Sequence, residues 1–236
     1  MTEPLPSLDI RAGQRPPEAV VLVLHGGRES SPEPVTARQL AVLRMVPFAS
    51  VIARRAAGRV AVARLRYRLR GWNARAGRPP APVADADWAL HRLTQRFGPL
   101  PVGLVGHSMG GRTALRIGGT EQVRAVVGLA PWLPPGEPVE QLRQRQVLLV
   151  HGTDDRLTDP RLTAAFADRL QAAGGTVSLV RVSGGRHAML RRPQLWHELA
   201  AQFVLNAVLP NYRPSGWPHA PNFLHQVGGA SARITY

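Results

Sequence analysis

A chain of 236 residues with a 44% hydrophobic fraction is long enough for one buried core and too apolar for general disorder. The absence of cysteine excludes disulfides, thiol nucleophiles and thiolate metal sites. The formal net charge is +15, but all 30 basic residues are arginine, scattered and without a nucleic-acid motif, so GC-rich coding explains them better than a phosphate-binding surface.

No nucleic-acid partner is therefore expected. The N-terminus lacks a basic start followed by an apolar run, and no stretch approaches the roughly 20 apolar residues of a membrane span. A cytoplasmic protein without membrane contact is the expectation.

In chain order, the first eighteen residues carry four prolines and add one edge strand at most. Apolar, mostly β-branched runs bounded by Gly, Pro or charge then predict strands at Ala19–Leu24, Val60–Leu65, Val102–Val105, Ala125–Leu129, Val147–Val150 and Val177–Val182. Between them fall helical stretches at Pro47–Ala57, Ala84–Phe97, Met109–Ile117, Asp159–Ala173 and Pro193–Val208. Val83, Ala86, Leu90, Leu93 and Phe97 lie three or four apart, as one buried helix face requires. Pro131–Arg145 holds four prolines and allows no more than a turn or two of helix.

This alternation predicts an α/β fold, a mostly parallel sheet of about six to seven strands with helices on both faces. Three regions follow: an N-terminal extension over 1–18, one domain over 19–209 and a tail over 210–236. The tail carries four prolines and four aromatics, more aromatics than a disordered segment should hold. Two readings stand for it: packing along the domain without regular structure, or binding a protein partner.

Gly106-His107-Ser108-Met109-Gly110 lies between a predicted strand and a predicted helix. The glycines on either side admit a strained turn that lifts the Ser108 hydroxyl above the C-terminal edge of the sheet. Such a serine is a nucleophile only with a base beside it. Two later loops offer the partners. His151-Gly152-Thr153-Asp154-Asp155 follows one strand, and Ser183-Gly184-Gly185-Arg186-His187 follows the last.

With these three motifs in this order the chain resembles the α/β-hydrolase superfamily. Within it the chain looks like small lidless esterases and thioesterases of the dienelactone-hydrolase or serine-aminopeptidase kind. The resemblance spans residues 19–208 and implies Ser108 as nucleophile, His187 as base and Asp155 as the acid that orients it. Asp154 is the rival acid, and Asp159 before Pro160 reads as a helix N-cap. The remaining histidines, His91, His197, His219 and His225, read as solvated or core side chains.

Leu24-His25-Gly26-Gly27-Arg28 resembles the family's His-Gly turn. It implies an oxyanion hole from the N–H groups of Met109 and Gly27, with Arg28 as the alternative to Gly27. The segment 132–146 is too short for the helical lid of larger members, and their first two strands are missing or reduced here. An open, shallow site is the consequence. Trp132 either walls an acyl pocket or packs beneath its neighbouring loop. In Arg64-Leu65-Arg66-Tyr67-Arg68-Leu69-Arg70, Arg68 and Arg70 either form a solvated sheet edge or attract an anionic substrate.

The implied activity is hydrolysis of small carboxylic esters or thioesters through an acyl-enzyme, with no metal and no cofactor. An acyltransferase or small peptidase would use the same triad, and a non-catalytic binding protein could retain the same fold.

Overall fold

The computed structural model describes residues 4–213 and 231–236. Its elements are β1 (Ser7–Arg11), β2 (Ala19–Leu24), α1 (Leu40–Leu43), α2 (Val46–Ala56), β3 (Val60–Arg66) and α3 (Ala81–Phe97). They continue through β4 (Val102–His107), α4 (Met109–Ile117), β5 (Val123–Leu129), β6 (Gln146–Gly152), α5 (Pro160–Ala172), β7 (Thr176–Val182), α6 (Pro193–Val208) and β8 (Ala232–Thr235).

The eight strands form one sheet in the order β1-β3-β2-β4-β5-β6-β7-β8. β1 runs antiparallel to β3, and every other pairing is parallel. All residues of β2 and of β4 are buried, as expected of strands covered on both faces. Strand alternation divides them cleanly. Ala19, Val21 and Val23 join the core under α2 and α6, while Val20, Leu22 and Leu24 join the opposite core under α3, α4 and α5.

The sheet is wider than the expected six to seven strands because both terminal segments add an edge. β1 is the single edge strand allowed for the prolines of the N-terminus. β8 corrects the expectation of a tail without regular structure, since it pairs with β7 from Ser178↔Ala232 to Arg181↔Thr235. Four alternating residues were too few to register as a strand against the proline-rich stretch before them. The rest of the tail, 214–230, lies outside the described residues, as do His219 and His225.

Helix limits shift by local chemistry. α3 begins at Ala81 rather than Ala84 because Pro82 fits the first turn, where its missing N–H costs nothing. α5 starts as expected, with Asp159 capping the Arg161 N–H at 2.8 Å and Pro160 following it. The connection from β5 to β6 carries only the short 3₁₀ turn Glu140–Leu142, so no helical lid stands over the sheet there.

Candidate active site

β4 ends at His107, and the chain turns directly into α4 through Ser108, whose φ of 55° lies in the left-handed region. A non-glycine residue held there is strained and needs its surroundings to hold it. The Ser108 N–H donates to Leu129 O at 3.0 Å, and its carbonyl accepts from Trp132 N and Arg112 N, both at 3.1 Å. The flanking glycines permit the turn by close approach. A Cβ on Gly106 would overlap the Gly110 carbonyl, and one on Gly110 would overlap the carbonyls of Leu24 and His25.

The turn after β2 comes up against this elbow. A Cβ on Gly27 would collide with the Met109 side chain and the Arg70 carbonyl, and one on Gly26 would stand 3.4 Å from the Ser108 Cβ. Gly27 and Met109 are thus brought together beside Ser108. His25 holds the turn from beneath, with Nδ1–H donating to Gly26 O at 2.6 Å and Nε2 accepting from Tyr67 N at 3.2 Å. Burial keeps it neutral, its pKa pushed down to about 4. Beyond the turn lies a groove of about 370 Å³ lined by Gly26, Gly27, Arg28, Val35, Leu40 and Arg70.

The loops after β6 and β7 bring Asp155 and His187 into contact, with Nδ1 2.8 Å from the carboxylate Oδ2. Asp155 accepts further hydrogen bonds from Leu157 N and Thr158 N on Oδ1, and from Thr158 Oγ1 and His151 Nε2 on Oδ2. Its side chain is fully buried, which disfavours the charge. The hydrogen bonds from His151, His187 and Thr158 outweigh that burial and hold the carboxyl well below the usual range. Asp154 instead accepts from the hydroxyl of its neighbour Thr153 at an exposed position.

His187 is set over the elbow by His107. The two rings are 4.7 Å apart, and His107 Nε2–H donates to the His187 carbonyl at 2.9 Å. Burial, followed by the nearby His187, pushes His107 down to about 3. Arg44, just after α1, donates to the neighbouring Ala188 carbonyl. Among the described residues, neither Ser108 Oγ nor His187 Nε2 makes a hydrogen bond, so the Nε2 is committed to no other group.

Trp132 is half-buried at the end of β5, its ring edge-on to Trp72 at 6.0 Å and against the Arg112 guanidinium at 4.7 Å. Arg68 and Arg70 differ from the anion-attracting expectation. Arg68 reaches the buried Asp85, Nε to Oδ1 3.1 Å, and Arg70 pairs with Glu33, so both guanidiniums already face carboxylates. β3 ends at Arg66, and beyond it the chain pairs with the loop after β2, Val35 N donating to Arg68 O and Arg70 N to Glu33 O, which brings Glu33 beside Arg70.

Several contributors carried no sequence signal strong enough to find them. His107 and His151 were legible only as neighbours of glycines, and Thr158 only as a loop hydroxyl. The burial of Arg112, one helical turn after Ser108, follows from the two tryptophans that cover it. Among the described residues no three His, Asp or Glu side chains are grouped to hold a metal ion, and no helix is long and apolar enough to cross a membrane.

A sequence-family model described as the alpha/beta hydrolase family matches residues 20–225. No curated protein matches the chain. Solved structures do. The esterase Est2 from the Planctomycetes species Thermogutta terrifontis, with butyrate bound, is 19% identical with a TM-score of 0.66, covering 89% of this chain and 92% of that one. An alpha-beta serine hydrolase homologue from Coxiella burnetii is 17% identical with a TM-score of 0.62, covering 84% and 91%. The esterase domain of a Rhodothermus marinus protein is 20% identical with a TM-score of 0.59, covering 85% and 92%. At these identities the likeness is one of fold.

Proposed function

The chain belongs to the alpha/beta hydrolase family, and on that premise we propose that it is a serine hydrolase of small carboxylic esters or thioesters. The observation that carries this reading is the Asp155–His187 hydrogen bond of 2.8 Å, set against an elbow that presents Ser108.

Asp155 is ionised and buried, so it accepts the His187 Nδ1–H and fixes the tautomer with a lone pair on Nε2. As Ser108 Oγ adds to the substrate carbonyl, its proton passes to that Nε2, and Asp155 stabilises the imidazolium that forms. The carbonyl oxygen becomes an oxyanion facing the N–H groups of Met109 and Gly27, at the positive end of α4. His187 then gives the proton to the departing alcohol or thiol as the bond to it breaks, leaving Ser108 acylated. Water, deprotonated by the same imidazole, releases the acid. The absence of a Ser108–His187 hydrogen bond fits a free enzyme, in which catalytic contacts tighten only with substrate. The esterase neighbours and the groove beginning at Gly26 and Gly27 support an ester as the substrate class.

A fluorophosphonate probe should label the wild type and not Ser108→Ala. A folded wild type that neither takes the label nor hydrolyses any of a graded set of p-nitrophenyl esters and acyl thioesters would refute the reading.

A further inference from the structure

Arg112 is a buried guanidinium with one edge in use and one edge open. It stands in the corner made by two perpendicular indoles, its Cζ 4.1 Å from the Trp72 ring and 4.7 Å from the Trp132 ring. Its Nε–H donates to Glu137 at 2.8 Å. Among the described residues its two Nη groups have no hydrogen-bond partner, and the side chain keeps 10% exposure. Glu29 is near enough to favour its charge but makes no hydrogen bond to it.

The local charge is unbalanced. Glu137, almost fully buried, is shared between Arg112 and Arg116, and Arg169 donates to its carbonyl as well. One carboxylate thus answers two guanidiniums, of which Arg112 is the one shielded from water, where an incompletely compensated charge is costly. A guanidinium held through Nε presents its Nη1/Nη2 edge as a two-pronged donor matched to a carboxylate. The two indoles, perpendicular to each other, wall it on two adjacent sides and limit its rotation.

The residue that carries this edge is tied to the catalytic elbow through its backbone. Arg112 N and Trp132 N both donate to the Ser108 carbonyl, so the arginine and one of its indole walls are tied to the elbow. The other wall is tied to the Gly27 turn, because Trp72 N donates to Arg28 O at 2.7 Å.

We propose that Arg112, held in the corner of Trp72 and Trp132, receives a carboxylate carried by the substrate, so that the enzyme prefers esters of dicarboxylic acids over their neutral counterparts. The proposal rests on the serine-hydrolase reading above. Mono-p-nitrophenyl glutarate and p-nitrophenyl valerate, which differ in the terminal carboxylate, are compared by kcat/KM. Wild type should favour the glutarate by about ten-fold or more, the scale of a charge-assisted bidentate pair. In Arg112→Gln that ratio should fall toward one, whatever general damage the substitution causes, since both esters are read in the same protein. Free glutarate should also inhibit wild-type valerate hydrolysis more strongly than neutral glutaramide, which tests the site if Arg112→Gln does not fold. Valerate hydrolysis without a preference for glutarate, an unchanged ratio in a folded Arg112→Gln, or equal inhibition by glutarate and glutaramide overturns the carboxylate site alone. Hydrolysis of neither ester overturns this proposal, and fluorophosphonate labelling of the same preparation decides whether the serine-hydrolase reading falls with it.

Discussion

Asp155 shows how a single side chain acquires its behaviour from what surrounds it. Burial alone would favour the neutral acid, yet its oxygens collect hydrogen bonds from two histidines, a hydroxyl and two backbone amides, and the charged form wins. Asp155→Asn should leave the fold standing and lower kcat by about 10⁴, because an amide no longer enforces the imidazole tautomer. Steady-state kinetics on the folded variant checks it. The buried histidines make a different statement. His25 and His107 have pKa values pushed down to about 4 and about 3, so the unfolded chain binds protons more readily than the folded one. Their contribution is fully present above about pH 6.5 and lost as pH falls toward those lower values, at a cost on the order of a few kcal/mol each. Melting temperature should therefore drop between pH 6.5 and 4 in wild type and drop less steeply in His107→Gln. Equal slopes would remove His107 from that account.

Among the elements, the elbow between β4 and α4 is the tightest constraint. Every residue of α4 except Arg116 is buried, and the glycines leave no room for a side chain against β2. Gly110→Ala forces a methyl against the Leu24 and His25 carbonyls and should destabilise by about 1–3 kcal/mol. Serine-probe labelling should fall with it, since the same displacement moves the nucleophile. Thermal melts and labelling of one preparation check both. Helices α2 and α6 are joined differently, through Arg55, whose Nη2 and Nε donate to Glu198 at 2.7 to 3.2 Å. With side chains 19% and 10% exposed the pair is shielded from water, and Glu198→Ala should lower stability by about 1–3 kcal/mol. Among the described residues, Ser108, Asp155 and His187 make no hydrogen bond to this pair, so the labelling rate should hold.

At the scale of the whole molecule, a parallel sheet places the C-terminal ends of β2, β4, β6 and β7 along one rim, which is how residues far apart in sequence come to face one another. The edge strand β8 reaches that rim. Tyr236 N donates to Arg181 O at 2.9 Å, and Ser183 N donates to Tyr236 O at 2.8 Å, at the root of the loop that carries His187. Deleting residues 231–236 should lower the melting temperature by several degrees and reduce kcat several-fold, because it frees both β7 and that loop. An unchanged kcat in the truncated protein would show that the loop is held without β8.

Composition, hydrophobic alternation and turn chemistry by themselves determined the parallel core, the positions of its central strands and helices, and the elbow around Ser108. Each depends on neighbours within a few residues, where glycine, proline and β-branching act directly on the backbone. The loops holding Asp155 and His187 were readable through the family resemblance, which places an acid and then a histidine in glycine-bearing loops after the last strands. Long-range proximity was left to the tertiary structure. It joined β8 to the sheet, turned Arg68 and Arg70 toward Asp85 and Glu33, set His107 against His187 and placed Arg112 in the corner of Trp72 and Trp132. Those outcomes depend on which distant groups share a small buried volume, and local sequence carries no measure of that.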